Sequence, residues 1–258
     1  MLKISRILNM VSFLLLIATI VVVNLLPFGG LRSDEVLARF ETLFNPSKFF
    51  FIAIWILVLV LLLVFSIYQV MPGQKNNSRL DGMGGWFIFI NLLLIGWVIA
   101  WQMFEFIIGL ILIMAVLILA IVLYEQMRVG RTGNPVRERW LVDLPLGSFL
   151  GWISIMTVLC TAFVLLDQNW SGFGWTETGW TVSAIGYMVL LTVYVIFKRN
   201  AVFFPMIVIL ALVGIALNGL GDRLVSNTAW ISAGLVLLLL GIARSFVRRK
   251  QLINRYKK

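Results

Sequence analysis

The chain has 258 residues, 61% of them hydrophobic and only 12% charged, and a mean hydropathy of +1.02. So little charge cannot cover a soluble protein of this length, and the apolar residues come in blocks that reach the roughly 20 helical residues needed to cross a hydrocarbon core. There is no histidine, which removes HExxH zinc sites, His-based proton relays, Ser-His-Asp triads and a histidine haem ligand together.

In chain order, hydropathy and breakers predict eight apolar spans, at 7–26, 49–71, 84–104, 106–124, 144–166, 179–197, 201–220 and 225–243. The first follows "MLKISR" and is too long for a signal-peptide core, so it is expected to be a retained helix. Residues 31–44, "LRSDEVLARFETLF", alternate at helical spacing: Leu31, Val36, Leu37, Phe40, Leu43 and Phe44 share one face, opposite the charges. A short amphipathic helix lying over one mouth of the bundle is the expectation there. The stretch 84–124 is divided only near "WQMFEF", because one helix of that length would be about 60 Å long, twice the core thickness.

Charge distribution tests the count. With the N-terminus inside, 17 of the 21 Lys and Arg fall in inner segments and only Arg32, Arg39, Lys48 and Arg223 fall outside. This asymmetry predicts a multi-pass protein of the cell membrane, a bacterial inner membrane first, with both termini cytoplasmic. It also accounts for the net charge of +10: the tail "RSFVRRKQLINRYKK", 244–258, suits anionic inner-leaflet lipid, and no nucleic-acid partner is expected.

No span carries a charged residue in its interior, which weakens ion-coupled transport and proton pumping. The neutral polar residues are few. Ser154, Thr157 and Thr161 recur along one helical face beside Cys160, the single cysteine, and Asn91 precedes Trp97 and Trp101. Helix packing and ligand contact are both open to them. There is no GxxxxGK[ST], no GxSxG elbow, and no base that would activate the serine of "GWISIMT". The residues point to a non-enzymatic protein that requires no cofactor.

Two stretches carry more than composition. "FNPSKFFFIAIW", 44–55, resembles the signature opening the second helix of the tryptophan-rich sensory protein family (TspO/MBR, the translocator or peripheral benzodiazepine receptor type), with Phe44, Pro46, Phe51 and Trp55 in register. Ser47, Phe49 and Leu59 depart from it. "LPLGSFLGWISIMT", 144–157, is similar to the fifth helix of the family's longer members, and "GWVIAW" to its Trp-rich third helix, with Cys160 where the family continues to an asparagine. The resemblance implies an all-α, polytopic bundle: a five-helix core over 1–166 with 31–44 as its lid, a three-helix extension over 167–243, and the basic tail. It also implies a pocket for a porphyrin, a sterol or a similar flat apolar ligand. Pro46, Phe49, Phe51, Trp55, Trp97, Trp101 and Trp152 would supply stacking and apolar wall, and Asn91, Ser154 and Thr157 hydrogen bonds. The alternative is a permease, or a membrane subunit of a transporter, for a lipid-like or small neutral solute; a partner-anchoring subunit is a third reading. The glycine-rich patches suit a homodimer as well as internal packing.

Overall fold

Eight main helices follow one another in the computed structural model, which describes residues 4–26, 35–36, 41–131, 133–199, 201–218 and 222–256, with side chains as far as 246. They are α1 (Ile4–Leu25), α2 (Lys48–Val70), α3 (Trp86–Gln102), α4 (Phe106–Gln126), α5 (Leu144–Asp167), α6 (Glu177–Arg199), α7 (Phe203–Ala216) and α8 (Arg223–Tyr256). No strand occurs among the described residues, so the chain is a polytopic helical bundle. Six of the eight are long and apolar enough to cross a membrane; α3 and α7, with 17 and 14 residues, are shorter. Most of the expected amphipathic segment 31–44 lies outside the described residues; of it, Val36, Thr42 and Phe44 are buried.

Three boundaries differ from the sequence reading. The fifth helical segment starts at Val136, not 144, through a π turn at Arg139–Asp143. Proline at 145 explains it. Pro145 lacks the N–H that would bond Leu141, and its ring crowds that carbonyl; a wider turn, in which Leu144 N–H donates to the Arg139 carbonyl, relieves both. The second is the tail: α8 runs unbroken to Tyr256, 34 residues in all, so the basic stretch continues a membrane helix. The third is α7, expected over 201–220, whose helix ends at Ala216. The start of α8 is set by Asp222, whose carboxylate accepts from Val225 N–H at 3.0 Å and from the Thr178 hydroxyl. Those two bonds, the hydroxyl first, hold the Asp222 carboxyl below the usual range.

Packing closes the first five helices into a ring. α1 lies against α2 and α3, α3 against α4, α4 against α5, and α5 against α2, giving the order α1–α2–α5–α4–α3. The extension is seated on this ring rather than apart from it. α7 packs on α2 and α5 and shares their hydrophobic core through Phe204, Ile207, Val208 and Ala211, while α6 and α8 pack on α7 and on each other. The α5–α7 contact is close because Gly147 and Gly151, one turn apart, expose backbone: a Cβ at Gly151 would lie 3.0 Å from the Phe204 carbonyl oxygen. That surface, read from sequence as open to dimerisation, is occupied by α7.

The same logic fixes Pro46. A Cβ on Gly214 of α7 would lie 2.7 Å from Phe50 Cβ and 2.9 Å from Pro46 Cβ, and Ser47 N–H donates to the Gly214 carbonyl at 2.8 Å. Pro46 therefore docks α7 against the start of α2. Gly214→Ala is expected to cost about 1–3 kcal/mol through overpacking, read as a lower thermal unfolding midpoint in detergent; an unchanged midpoint would show the contact to be loose.

At one end of the bundle, ion-paired knots built on Arg6 and Arg79 tie the loops. Arg6, fully buried, donates to the Gln74 and Asn77 carbonyls and pairs with Asp81 at 2.8 Å. Arg79, in the α2–α3 loop, ties it to the α4–α5 connection: it donates to the Met127 carbonyl at 2.7 Å, pairs with Glu138 at 3.0 Å and pairs with buried Asp143. Asn134 Nδ2 donates to the second Asp143 oxygen at 3.0 Å.

Candidate functional site

The middle of the five-helix ring is filled by aromatic side chains from four helices. Helical spacing puts Phe51 and Trp55 of α2 on one face, one turn apart, and does the same for Trp97 and Trp101 of α3. Trp152 of α5 reaches between them. The ring centroids of Phe51 and Trp152 are 5.5 Å apart, those of Trp55 and Trp152 6.1 Å, both edge to face. Trp55 stacks on Trp97 at 6.0 Å with the planes 24° apart, and Trp97 meets Trp101 at 5.5 Å. The column continues to Phe163 at 5.1 Å and Phe106 at 5.7 Å from Trp101. These separations and tilts are those of favourable quadrupole contacts, each about 0.5–1.5 kcal/mol beyond area burial.

The column is not uniformly enclosed. Trp97, Trp101 and Trp152 are buried, whereas Phe51 and Trp55 are half-buried, so α2 supplies its accessible wall. The indole N–H of Trp152, on a side chain with 0% exposure, has no hydrogen-bond partner. Trp97 N–H has only the Cys160 thiol, a weak acceptor, before it. An unpaired buried donor costs about 1–3 kcal/mol. The column thus offers flat apolar surface together with donors in want of acceptors. Gly109 of α4 lies under Trp97, where a Cβ would touch the indole at 3.9 Å.

Of the residues singled out from sequence, the structure gathers five: Phe51, Trp55, Trp97, Trp101 and Trp152. The other five lie elsewhere. Pro46 is locked against Gly214, as described. Phe49 is 74% exposed on the outside of α2, where it meets Phe50 edge to face. Asn91 sits about 9 Å along α3 from Trp97 at 1.5 Å per residue, with Nδ2 donating to the Ser12 hydroxyl at 2.9 Å.

Ser154 and Thr157 face away from the column. Two and five positions beyond Trp152 are about 200° and 140° round the helix, and their hydroxyls donate to the carbonyls of Leu150 and Ile153 on their own helix. They border a different cleft, between α4, α5 and α6, with Tyr187 and Tyr194 on its far side. Their family-like spacing obscured a face that counting from Trp152 would have revealed. Phe106 and Phe163 were missed because single phenylalanines in apolar spans carry no pattern of their own. Among the described residues no group of three Cys, Asp or Glu side chains is arranged to hold a metal.

A family model described as TSPO-like protein matches residues 6–242. No curated protein and no solved structure matches the chain. The match takes in α6, α7 and most of α8 as well as the five-helix ring, in keeping with the core that α7 shares with α2 and α5.

Proposed function

The chain belongs to the TSPO-like protein family, and we propose that it binds or senses a flat apolar ligand, a tetrapyrrole first among them, within the aromatic column of its five-helix ring. The observation that carries this reading is the half-buried Trp55 stacked on Trp97 beside the unpaired indole N–H of Trp152. A planar ligand that separates Trp55 from Trp97 exchanges one stacking partner for another and gains area on both faces. A ligand carbonyl or carboxylate near Trp152 satisfies a donor that the folded protein leaves unpaired. The reading is one of binding without turnover, supported by a column whose chemistry is stacking and indole N–H donation. The protein works in the cell membrane with its basic end cytoplasmic.

Titration of the purified protein with protoporphyrin, followed by tryptophan quenching and the Soret band, tests this. Saturable binding in the micromolar range is expected. Trp55→Ala should weaken it about tenfold or more by removing one stacking face, the equivalent of about 1.4 kcal/mol. Quenching no greater than inner-filter controls would sink the proposal.

A further inference from the structure

A cleft of about 390 Å³ opens at the basic end between the α4–α5 loop, the start of α5 and α7, away from the aromatic column. Three arginines border it: Arg131 and Arg139 from the loop and the π turn, and Arg244 from α8. Arg139 is held in place by Nε donation to the Asn134 carbonyl at 3.0 Å. Arg131 and Arg244 pair with no carboxylate among the described residues. The one acid on the wall, Asp143, is already engaged by Arg79 and Asn134. The cleft is therefore locally cationic, with two guanidinium groups uncommitted.

Its remaining wall is largely apolar and reaches the outer surface of the bundle. The rings of Trp140 and Phe203 stand 6.0 Å apart at its rim, Trp140 being 59% exposed. At its floor lies Tyr124, buried to 4% exposure, whose hydroxyl has no hydrogen-bond partner. Gly130, at φ +77°, lets the chain turn past that hydroxyl: a Cβ there would lie 2.8 Å from the Arg199 carbonyl and 3.3 Å from the tyrosine oxygen. Tyr124 and Phe204 also line the cleft between α4, α5 and α6, so the two adjoin at these side chains, the second one largely apolar apart from the paired Glu125 and Arg199. A cationic mouth, an unpaired buried hydroxyl and an apolar crevice beyond it have the layout of an amphiphile.

We propose that this composite cleft binds an anionic phospholipid of the cytoplasmic leaflet. Its phosphate sits among Arg131, Arg139 and Arg244, the Tyr124 hydroxyl donates to a headgroup or ester oxygen, and an acyl chain lies between α4, α5 and α6. Basic pockets between membrane helices on the positive side recognise lipid headgroups by this combination of charge and desolvated donors.

The test is thermal unfolding of the purified full chain in neutral detergent with added phosphatidylglycerol, phosphatidylcholine or soluble glycerol phosphate. Phosphatidylglycerol should raise the midpoint by about 5 °C, with no comparable rise from the other two. Arg131→Gln/Arg244→Gln, which breaks no side-chain hydrogen bond among the described residues, should remove most of that rise. Lys75→Gln/Arg137→Gln, which takes the same charge from the same end outside the cleft, should keep it. Tyr124→Phe should lower the rise by a smaller amount. An equal rise with phosphatidylcholine, a full rise with glycerol phosphate, or a rise retained in the cleft variant would each overturn the proposal. An undiminished rise in Tyr124→Phe would overturn the role given to the hydroxyl.

Discussion

Arg79→Ala is expected to lower the stability of the bundle by about 3–5 kcal/mol, the cost of removing one partner from a buried ion pair. The loss comes from what stays behind. Asp143 is about 5% exposed at its side chain and keeps only the Asn134 amide, while Glu138 keeps only the Asn77 amide at 2.9 Å. The Met127 carbonyl loses the Arg79 donor as well. Since these contacts join the α2–α3 loop to the loop before α5, the variant also frees the two loops from each other. Arg79→Ala/Asp143→Asn should recover about half of the loss, because the uncompensated buried charge is gone while the tether stays broken. Unfolding midpoints of the three proteins in one detergent check this. Equal losses in the single and double variants would mean that the tether alone, and not the buried charge, sets the cost.

How far the sequence could be read follows from the range of each signal. The helix count was legible because apolar length and the alternation of Lys and Arg act within one span and its flanks. The aromatic column was legible in part for the same reason: Trp97 and Trp101 share a face by spacing alone, as do Phe51 and Trp55. What bring α2, α3 and α5 together are contacts between distant residues, and these leave no local trace. Pro46 was expected in the pocket wall, yet it packs against Gly214, in a helix near the other end of the chain. Arg6 looked like a flanking charge and is fully buried, because Asp81 and two carbonyls await it across the bundle. Ser154 and Thr157 were different. Their face was computable from helical periodicity, and the likeness of their motif to a binding helix drew attention away from it.

Trp152 separates what the column does for the fold from what it does for a ligand. Trp152→Ala should cost about 3–5 kcal/mol, since the side chain is fully buried between Phe51 and Trp55 and its removal leaves a cavity in the ring. Loss of binding in that variant would prove little. Trp152→Phe is the sharper substitution. It keeps an aromatic ring against both neighbours, removes some volume, and also removes an N–H that is buried without a partner. The lost contacts and the relieved desolvation penalty oppose each other, so the net change should stay within about 1.5 kcal/mol. If the indole donates to the ligand, however, protoporphyrin affinity should fall up to about tenfold while the unfolding midpoint barely moves, the loss of one neutral hydrogen bond being worth about 0.5–1.5 kcal/mol. Unchanged affinity in Trp152→Phe, beside weakened affinity in Trp55→Ala, would leave stacking as the mode of recognition and show that the unpaired N–H belongs to the packing of the ring, not to the ligand.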